Sequence, residues 1–183
     1  FNLMKKLYEW VLSWSKTPYG SIVLFLVAFF EAIIFPIPPD ILLIALVLGS
    51  RRKAYKFALI CILGSLLGAS FGYLIGDYFW QYPNDAYKPT AEFFFNNVPG
   101  FSKAAFLKIQ EQYDKYGFLI IFTAGFTPIP YKIFTISAGA FDISFLLFAV
   151  ASIISRSARF FIIAILIYKF GEKIRKFIES IES

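Results

Sequence analysis

Two apolar stretches of this chain are long enough to cross a lipid bilayer. Residues 57–80 and 143–168 each consist mainly of apolar side chains. A helix needs about 20 such residues to cross a hydrocarbon core roughly 30 Å thick. Each stretch therefore predicts one membrane-spanning helix.

Two further apolar stretches are interrupted by prolines. Residues 21–35 would rise only about 22 Å as a helix, residues 41–49 are shorter still, and residues 118–141 are divided in the same way. Proline lacks the backbone N–H and clashes with the preceding turn, so it ends a helix. No half of either stretch can cross alone, and each stretch therefore predicts a re-entrant hairpin enclosed by protein or by a water-filled cavity. The prolines at the predicted hairpin tips are Pro36, Pro38, Pro39, Pro128 and Pro130.

The polar flanks of these stretches predict their orientation. Lys5 and Lys6 precede the first interrupted stretch, and the basic residues 51–53 follow it. Basic flanks lie in the cytoplasm, so both ends of the first stretch are on one side, as a hairpin requires. The basic C-terminal tail is predicted to be cytoplasmic as well. The predicted fold is an all-α integral membrane protein with an inverted-topology repeat, in which two re-entrant helical hairpins are each followed by a transmembrane helix.

The chain is predicted to form one membrane domain, residues 1–183. An N-terminal segment with Trp10 and Trp14 at helical spacing predicts an amphipathic interfacial helix. A polar segment later in the chain predicts an external loop that contains a second amphipathic helix, with Ser102 as its N-cap. The predicted units are the interfacial helix 1–19, the first repeat 20–80, the external loop 81–116, the second repeat 117–171 and the cytoplasmic tail 172–183.

Composition supports a membrane protein and argues against several chemistries. The chain is 58% hydrophobic, whereas soluble domains are nearer 45–50% apolar. Its net charge of +6 comes from residues beside the apolar stretches, which favours anionic lipid headgroups over nucleic acid as the partner. There is no histidine and one cysteine, Cys61. Catalysis by a Ser-His or Cys-His pair is thereby excluded. We expect that the protein is not an enzyme and that it binds no metal and no cofactor.

Six ionisable side chains fall within or directly beside the apolar stretches: Glu31, Asp40, Asp77, Lys132, Arg156 and Arg159. Asp77 lies near a predicted membrane boundary, where water can solvate it, whereas the other five lie deeper. A charge at the bilayer centre costs about 2.5–3.5 kcal/mol on insertion scales, so such residues are usually paired or functional. In one interpretation they form ion pairs that hold the repeats together, Asp40 with Lys132 and Glu31 with an arginine. In the other, the three cations bind an anionic or phosphate group, and the two acids serve proton coupling or gating.

A regular series of glycines marks the first predicted span. Gly64, Gly68, Gly72 and Gly76 recur at every fourth position, which places them on one helix face where another backbone can approach closely. The partner of this face is either another helix of the same chain, which we favour, or a second copy in a homo-oligomer.

The motifs formed by several of these residues resemble those of the DedA family, also called SNARE-associated or VTT-domain proteins. The resemblance is greatest to the YqaA-type branch of that family. The resemblance covers roughly residues 20–170. It rests on Glu31 ahead of Pro36 and Pro38, on the glycine series that runs into Gly72-Tyr73 and Gly76, and on the loop at residues 125–128. The second loop of this family usually carries two arginines around its proline. This chain has Ala124-Gly125 at the first position and Lys132 at the second.

The resemblance implies a lipid transporter in the bacterial inner membrane, with several membrane passages and both termini cytoplasmic. Such a flippase- or scramblase-like protein moves undecaprenyl phosphate or a phospholipid between leaflets, with proton coupling as an associated mechanism. Its partners would be membrane lipids with an anionic or phosphate headgroup. Two other functions stay open at this point: an ion- or proton-coupled transporter of a small solute, and a membrane scaffold that transports nothing.

Overall fold

The computed structural model describes residues 2–117, 119–124, 126 and 130–182, and these residues are almost entirely helical. Two short 3-10 turns, at Trp14–Lys16 and Arg51–Lys53, connect longer helices. The α-helices are α1 Asn2–Ser13, α2 Gly20–Glu31, α3 Pro39–Gly49, α4 Ala54–Phe79, α5 Pro89–Asn97, α6 Lys103–Tyr116, α7 Leu119–Ala124, α8 Tyr131–Ala140 and α9 Phe145–Glu182.

Two of the described helices are long and apolar enough to cross a membrane. The qualifying ranges are Arg51–Phe79, which contains α4, and Phe145–Ile174, which lies within α9. They correspond to the two predicted spans. Helix α9 also continues without a break past residue 172, where the cytoplasmic tail was predicted to begin. The predicted tail contains no proline, so the helix can continue into it, and the boundary between span and tail stays a prediction.

The first interrupted stretch forms two antiparallel helices joined by a tight turn. Helix α2 ends at Glu31, and the N–H groups of Ile34 and Phe35 both donate to the Phe30 carbonyl at 2.7 Å, which closes the turn ahead of Pro36. Pro39 is the first residue of α3, a position where its missing N–H costs nothing. A side chain added at Gly20 would meet Leu46, so the start of α2 and the end of α3 lie together.

The second interrupted stretch forms the short helices α7 and α8. Pro130 lies immediately before α8, whereas Pro128 lies outside the described residues. Every side chain from Tyr131 to Gly139 is buried, so α8 is enclosed on all sides.

Helix α4 is the central element of the packing, and it contacts α2, α8 and α9. It runs antiparallel to α9, because the Tyr55 ring near its start lies against Tyr168, whereas the Tyr73 ring near its end makes an edge-to-face contact with Phe145. The interrupted stretches pack on these long helices in a matched way. The first helix of each stretch contacts the long helix that follows it in the chain: α2 contacts α4, and α7 contacts α9. The second helix of each stretch contacts the other long helix: α3 contacts α9, and α8 contacts α4.

The glycine face of α4 lies against two helices of the same chain. A methyl group added at Gly64 or Gly68 would meet the backbone of α2 at Phe25 or Phe29, and one added at Gly76 would meet the α8 backbone at Ile136. Gly72 lies between these two regions and faces Thr135 of α8. The absence of side chains on this face therefore allows α2 and α8 to approach the α4 backbone.

The polar segment between α4 and α7 folds over one end of the bundle. Ser102 caps α6 as predicted, and its hydroxyl accepts the N–H of Ala105 at 3.1 Å. The Tyr113 phenol of α6 donates to the Phe134 carbonyl of α8 at 3.0 Å, and burial raises its pKa, so the phenol stays a donor. Helix α5 was not predicted. It begins at Pro89 and contributes to an aromatic cluster around the buried Trp80.

Candidate functional site

Arg156 is the centre of a buried polar cluster at the middle of the molecule. It projects from α9 and is only 2% exposed. Its Nε donates to the Ser65 hydroxyl of α4 at 2.7 Å, and a terminal nitrogen donates to Glu31 Oε2 at the end of α2 at 2.6 Å. This single guanidinium therefore joins α9, α4 and the end of α2, where the first helix break (residues 32–38, between α2 and α3) begins. The expected pairing of Glu31 with an arginine is confirmed.

An aromatic ring from α8 covers the same guanidinium. The centroid of the Tyr131 ring lies 4.1 Å from Arg156 Cζ, within the range of a cation–π interaction. The Tyr131 hydroxyl donates to Ser152 Oγ of α9 at 2.7 Å, which holds the ring in place. Arg156 thereby also contacts the helix that follows the second break.

Arg159 makes the second ion pair, with Asp40 in the first turn of α3. Its Nε donates to Asp40 Oδ1 at 3.2 Å, and its terminal nitrogen bonds Oδ2. This two-bond arrangement suits the planar guanidinium. The prediction that Asp40 pairs with Lys132 is wrong. Helix α3 packs on α9, which brings Asp40 to an arginine of α9, and only arginine can bond both carboxylate oxygens in this way.

Lys132 contacts the first break through the backbone. Its ammonium donates to the Ile34 carbonyl at 3.2 Å, and the side chain is 1% exposed. One helical turn later, the Thr135 hydroxyl donates to the Ala32 carbonyl at 2.8 Å. The start of α8 and the turn after α2 are thus joined by two hydrogen bonds.

The cluster carries more positive than negative charge. Arg156 and Arg159 each have a carboxylate partner, whereas Lys132 makes no ion pair with any described residue. Lys132 also lies in the first turn of α8, where the helix dipole already contributes partial positive charge. The five ionisable residues therefore have a formal net charge of +1, concentrated near Lys132. An anion at this position would be stabilised both by the ammonium and by the start of α8.

The VTT domain matches residues 35–169 of the chain. The chain belongs to the VTT-domain family. This family, also called DedA or SNARE-associated, is the one that the sequence resembles, and its members are generally non-enzymatic membrane proteins. The matched range contains four of the five ionisable residues of the cluster and leaves out Glu31. The YqaA-type branch stays a prediction.

Bacterial relatives extend this similarity over almost the whole chain. A protein of Haemophilus influenzae is 37% identical over 180 residues, which cover 96% of this chain and 88% of that protein. A protein of Histophilus somni is 34% identical over 188 residues, with the same coverages. Both relatives are described as uncharacterized. No solved structure matches the chain.

Four hydroxyl-bearing residues of this VTT-domain protein complete the cluster, and sequence reasoning missed all of them: Ser65, Tyr131, Thr135 and Ser152. Two sequence signals could have identified part of this set. Ser65 is a polar residue beside a glycine of the predicted packing face, and Tyr131 is adjacent to the intramembrane Lys132. Over the described ranges, no group of three His, Cys, Asp or Glu side chains could hold a metal ion.

Proposed function

We propose that this VTT-domain protein moves a phosphate-bearing lipid between the two leaflets of the membrane, and that the headgroup passes beside Lys132. The observation that carries the proposal is the excess positive charge where the turn after α2 meets the start of α8. Lys132 is buried and donates to a backbone carbonyl, and no carboxylate of a described residue forms an ion pair with it. A phosphate group would supply the missing negative charge.

An apolar groove beside this point favours a lipid over a small solute. The groove has a volume of about 450 Å³, and its lining is wholly apolar. It reaches Ile34 and Phe35, in the turn whose Ile34 carbonyl bonds Lys132. A headgroup at Lys132 could therefore keep an acyl chain in the groove. The remaining lining residues are Trp10, Trp14, Val23, Leu26, Val27 and Phe30.

The membrane arrangement that fits this function is the inverted-topology repeat. The matched packing of α2–α3 and α7–α8 on the two long helices supports two re-entrant hairpins that enter from opposite faces. In this arrangement α1 lies in the interface with Trp10 at headgroup depth, and both termini are cytoplasmic. The breaks then lie near the midplane of the bilayer, where a transporter of this kind places its substrate site.

In the proposed transport cycle, the two ion pairs of the cluster exchange partners. When a phosphate approaches Lys132, an arginine can exchange its carboxylate partner for the phosphate. The released acid, Glu31 or Asp40, is the proposed proton-coupling or gating residue of the cycle. This exchange couples lipid movement to protons.

A proteoliposome assay tests the proposal. Protein would be reconstituted with a fluorescent phospholipid, and the label that becomes accessible to an external quencher would be followed over time. We expect wild-type protein to accelerate translocation and Lys132→Gln to reduce the rate at least tenfold. Lys103→Gln removes the same charge from the exposed surface of α6 and should retain the wild-type rate. No acceleration by wild-type protein would contradict the proposal.

A scaffold that transports nothing is the second candidate function, and one observation favours it. Both arginines of the cluster already have carboxylate partners, which is what a purely structural role requires. In that case wild-type protein would move no lipid, and cluster variants would lose stability alone. A third result, in which lipid stays in place while a pH gradient drives uptake of a small anion, would identify a solute transporter.

A further inference from the structure

A separate polar pocket lies at the end of the bundle where α2 begins and α3 ends. Its volume is about 230 Å³, and it extends between the Trp14–Lys16 turn and the start of α4. It is remote from the helix breaks, because the twelve residues of α2 separate the two places by about 18 Å. The polar side chains that line it are Ser15, Thr17, Ser21, Ser50, Lys53 and Lys56. No lining residue is acidic.

The two lysines of this pocket are available for a ligand. Neither Lys53 nor Lys56 forms an ion pair with any residue that the structure describes. The neighbouring Arg51 differs, because it bonds the Tyr168 carbonyl and the Glu172 carboxylate. Lys53 ends the Arg51–Lys53 turn and Lys56 lies in the first turn of α4, and both line the pocket. Together they bring two uncompensated positive charges to one polar pocket.

Hydrogen-bond donors accompany these charges. The Ser21 and Ser50 hydroxyls make no hydrogen bond within the described chain, so both can donate to a ligand. The N–H groups of Ser21 and Ile22 belong to the first turn of α2 and have no backbone acceptor among the described residues. Oxygen atoms of an anion are the natural acceptors for such a set of donors.

The position of the pocket relates it to the membrane surface. Arg51, which precedes Lys53, is the first residue of a helical range that can span the bilayer. A lysine at such a position lies at headgroup depth, where anionic lipids attract basic side chains. The pocket thus presents donors and positive charge to phosphate groups.

We propose that this pocket is a phosphate-binding site, distinct from the cluster at the helix breaks. Its ligand is a phosphate group carried either by an anionic lipid headgroup or by free inorganic phosphate. Lys53 and Lys56 neutralise the charge, and the Ser21 and Ser50 hydroxyls bond the oxygens. The site does not depend on the proposed transport function, since none of its residues belongs to the cluster around Arg156.

Binding to the full-length protein in neutral detergent micelles tests this proposal. One arm titrates inorganic phosphate and follows its ³¹P resonance. The other arm counts phosphatidylglycerol molecules retained in native mass spectrometry, with phosphatidylcholine as the zwitterionic reference. The test variant is the double substitution Lys53→Gln and Lys56→Gln. The matched control is Lys16→Gln with Arg52→Gln, which removes the same charge from neighbouring exposed positions outside the pocket.

We expect saturable binding in at least one arm, weakened roughly tenfold or more in the test variant and within twofold of wild type in the control. Retention of phosphatidylglycerol that inorganic phosphate does not displace identifies a lipid headgroup, whereas saturable binding of inorganic phosphate alone identifies the free ion. Ser50→Asp, which adds a negative charge to the lining, should also abolish binding. Equal losses in test and control variants, or no saturable binding in either arm, would overturn the proposal.

Discussion

Helices α4 and α9 lie side by side through the middle of the protein, but they contact their neighbours by opposite means. Helix α4 presents glycines, and its backbone lies directly against α2 and α8. Helix α9 presents arginines, which reach α2 and α3 through ion pairs with Glu31 and Asp40. A glycine contact has one close-packed arrangement, whereas an ion pair can exchange its partner. We therefore expect the glycine contacts of α4 to stay fixed, and partner exchange to be confined to the arginine contacts of α9.

The two ion pairs of α9 also differ from each other. The side chains of Arg156 and Glu31 are 3% and 11% exposed, whereas those of Arg159 and Asp40 are 16% and 14% exposed. Arg156 additionally bonds Ser65 and stacks on Tyr131. We therefore expect the first pair to contribute more to stability and the second to exchange with a ligand more readily.

The largest predicted effect comes from breaking the Arg156 pair. Arg156→Met removes the guanidinium and leaves the Glu31 carboxylate buried without its partner. Removing one member of a buried pair typically costs about 3–5 kcal/mol, and we expect a loss of this size. The free energy of unfolding would be measured in mixed micelles with increasing denaturing detergent. Arg52→Met, at an exposed arginine, is the matched control, and a similar stability for both variants would contradict the role of Arg156.

The next largest effect concerns the glycine face of α4. Gly68→Ala introduces a methyl group against the Phe29 carbonyl, and such overpacking costs about 1–3 kcal/mol. We expect a lower free energy of unfolding in the same assay, together with slower lipid movement. Gly49→Ala is the control, because nothing lies within 4 Å of the added methyl group. If both alanine variants were as stable as wild type, the contact between α4 and α2 would be looser than described.

A smaller effect on stability is predicted for the second ion pair. Arg159→Met should cost less than the roughly 3–5 kcal/mol typical of breaking a fully buried pair, because the side chains of Arg159 and Asp40 are somewhat more exposed than those of Arg156 and Glu31. If this pair exchanges partners during transport, the same substitution should slow translocation of the labelled lipid severalfold. A stability loss equal to that of Arg156→Met, with unchanged transport, would reverse the roles assigned to the two pairs.

The smallest effect tests which cation Asp40 contacts. A double-mutant cycle would combine Asp40→Asn with Arg159→Met, and separately with Lys132→Met. Residues in contact show coupling energies of about 0.5–3 kcal/mol, so we expect coupling with Arg159 and little with Lys132. Equal coupling with both cations would show that Asp40 lies between them in the native protein.

Part of this architecture was predictable from the sequence, because it depends on local signals. The length of the apolar runs predicted α4 and α9, the prolines predicted the break after α2, and Ser102 predicted the start of α6. The partner of Asp40 was not predictable in this way. Lys132 and Arg159 are both cations far from Asp40 in sequence, and the choice between them depends on α3 packing against α9. Helix α5 was missed since its segment is rich in signals for irregular backbone.

The hydroxyl groups around Arg156 could not be predicted from the sequence for the same reason. Ser65 and Tyr131 are far apart in sequence and belong to helices that meet only in the folded protein. Nothing local to either residue indicates that both contact one guanidinium. Intramembrane charges can therefore be recognised from sequence as a set, whereas their pairing has to come from the packing of the helices.

The most direct test of the central claim is an experimental structure of the protein in lipid nanodiscs. The nanodiscs would contain an anionic phospholipid with a heavy-atom label on its headgroup, and a Lys132→Gln sample would be prepared in parallel. We predict headgroup density between the two helix breaks, within hydrogen-bonding distance of Lys132 Nζ, and its loss in the variant. Headgroup density confined to the outer surface, identical in both samples, would contradict the claim that the breaks bind a lipid phosphate.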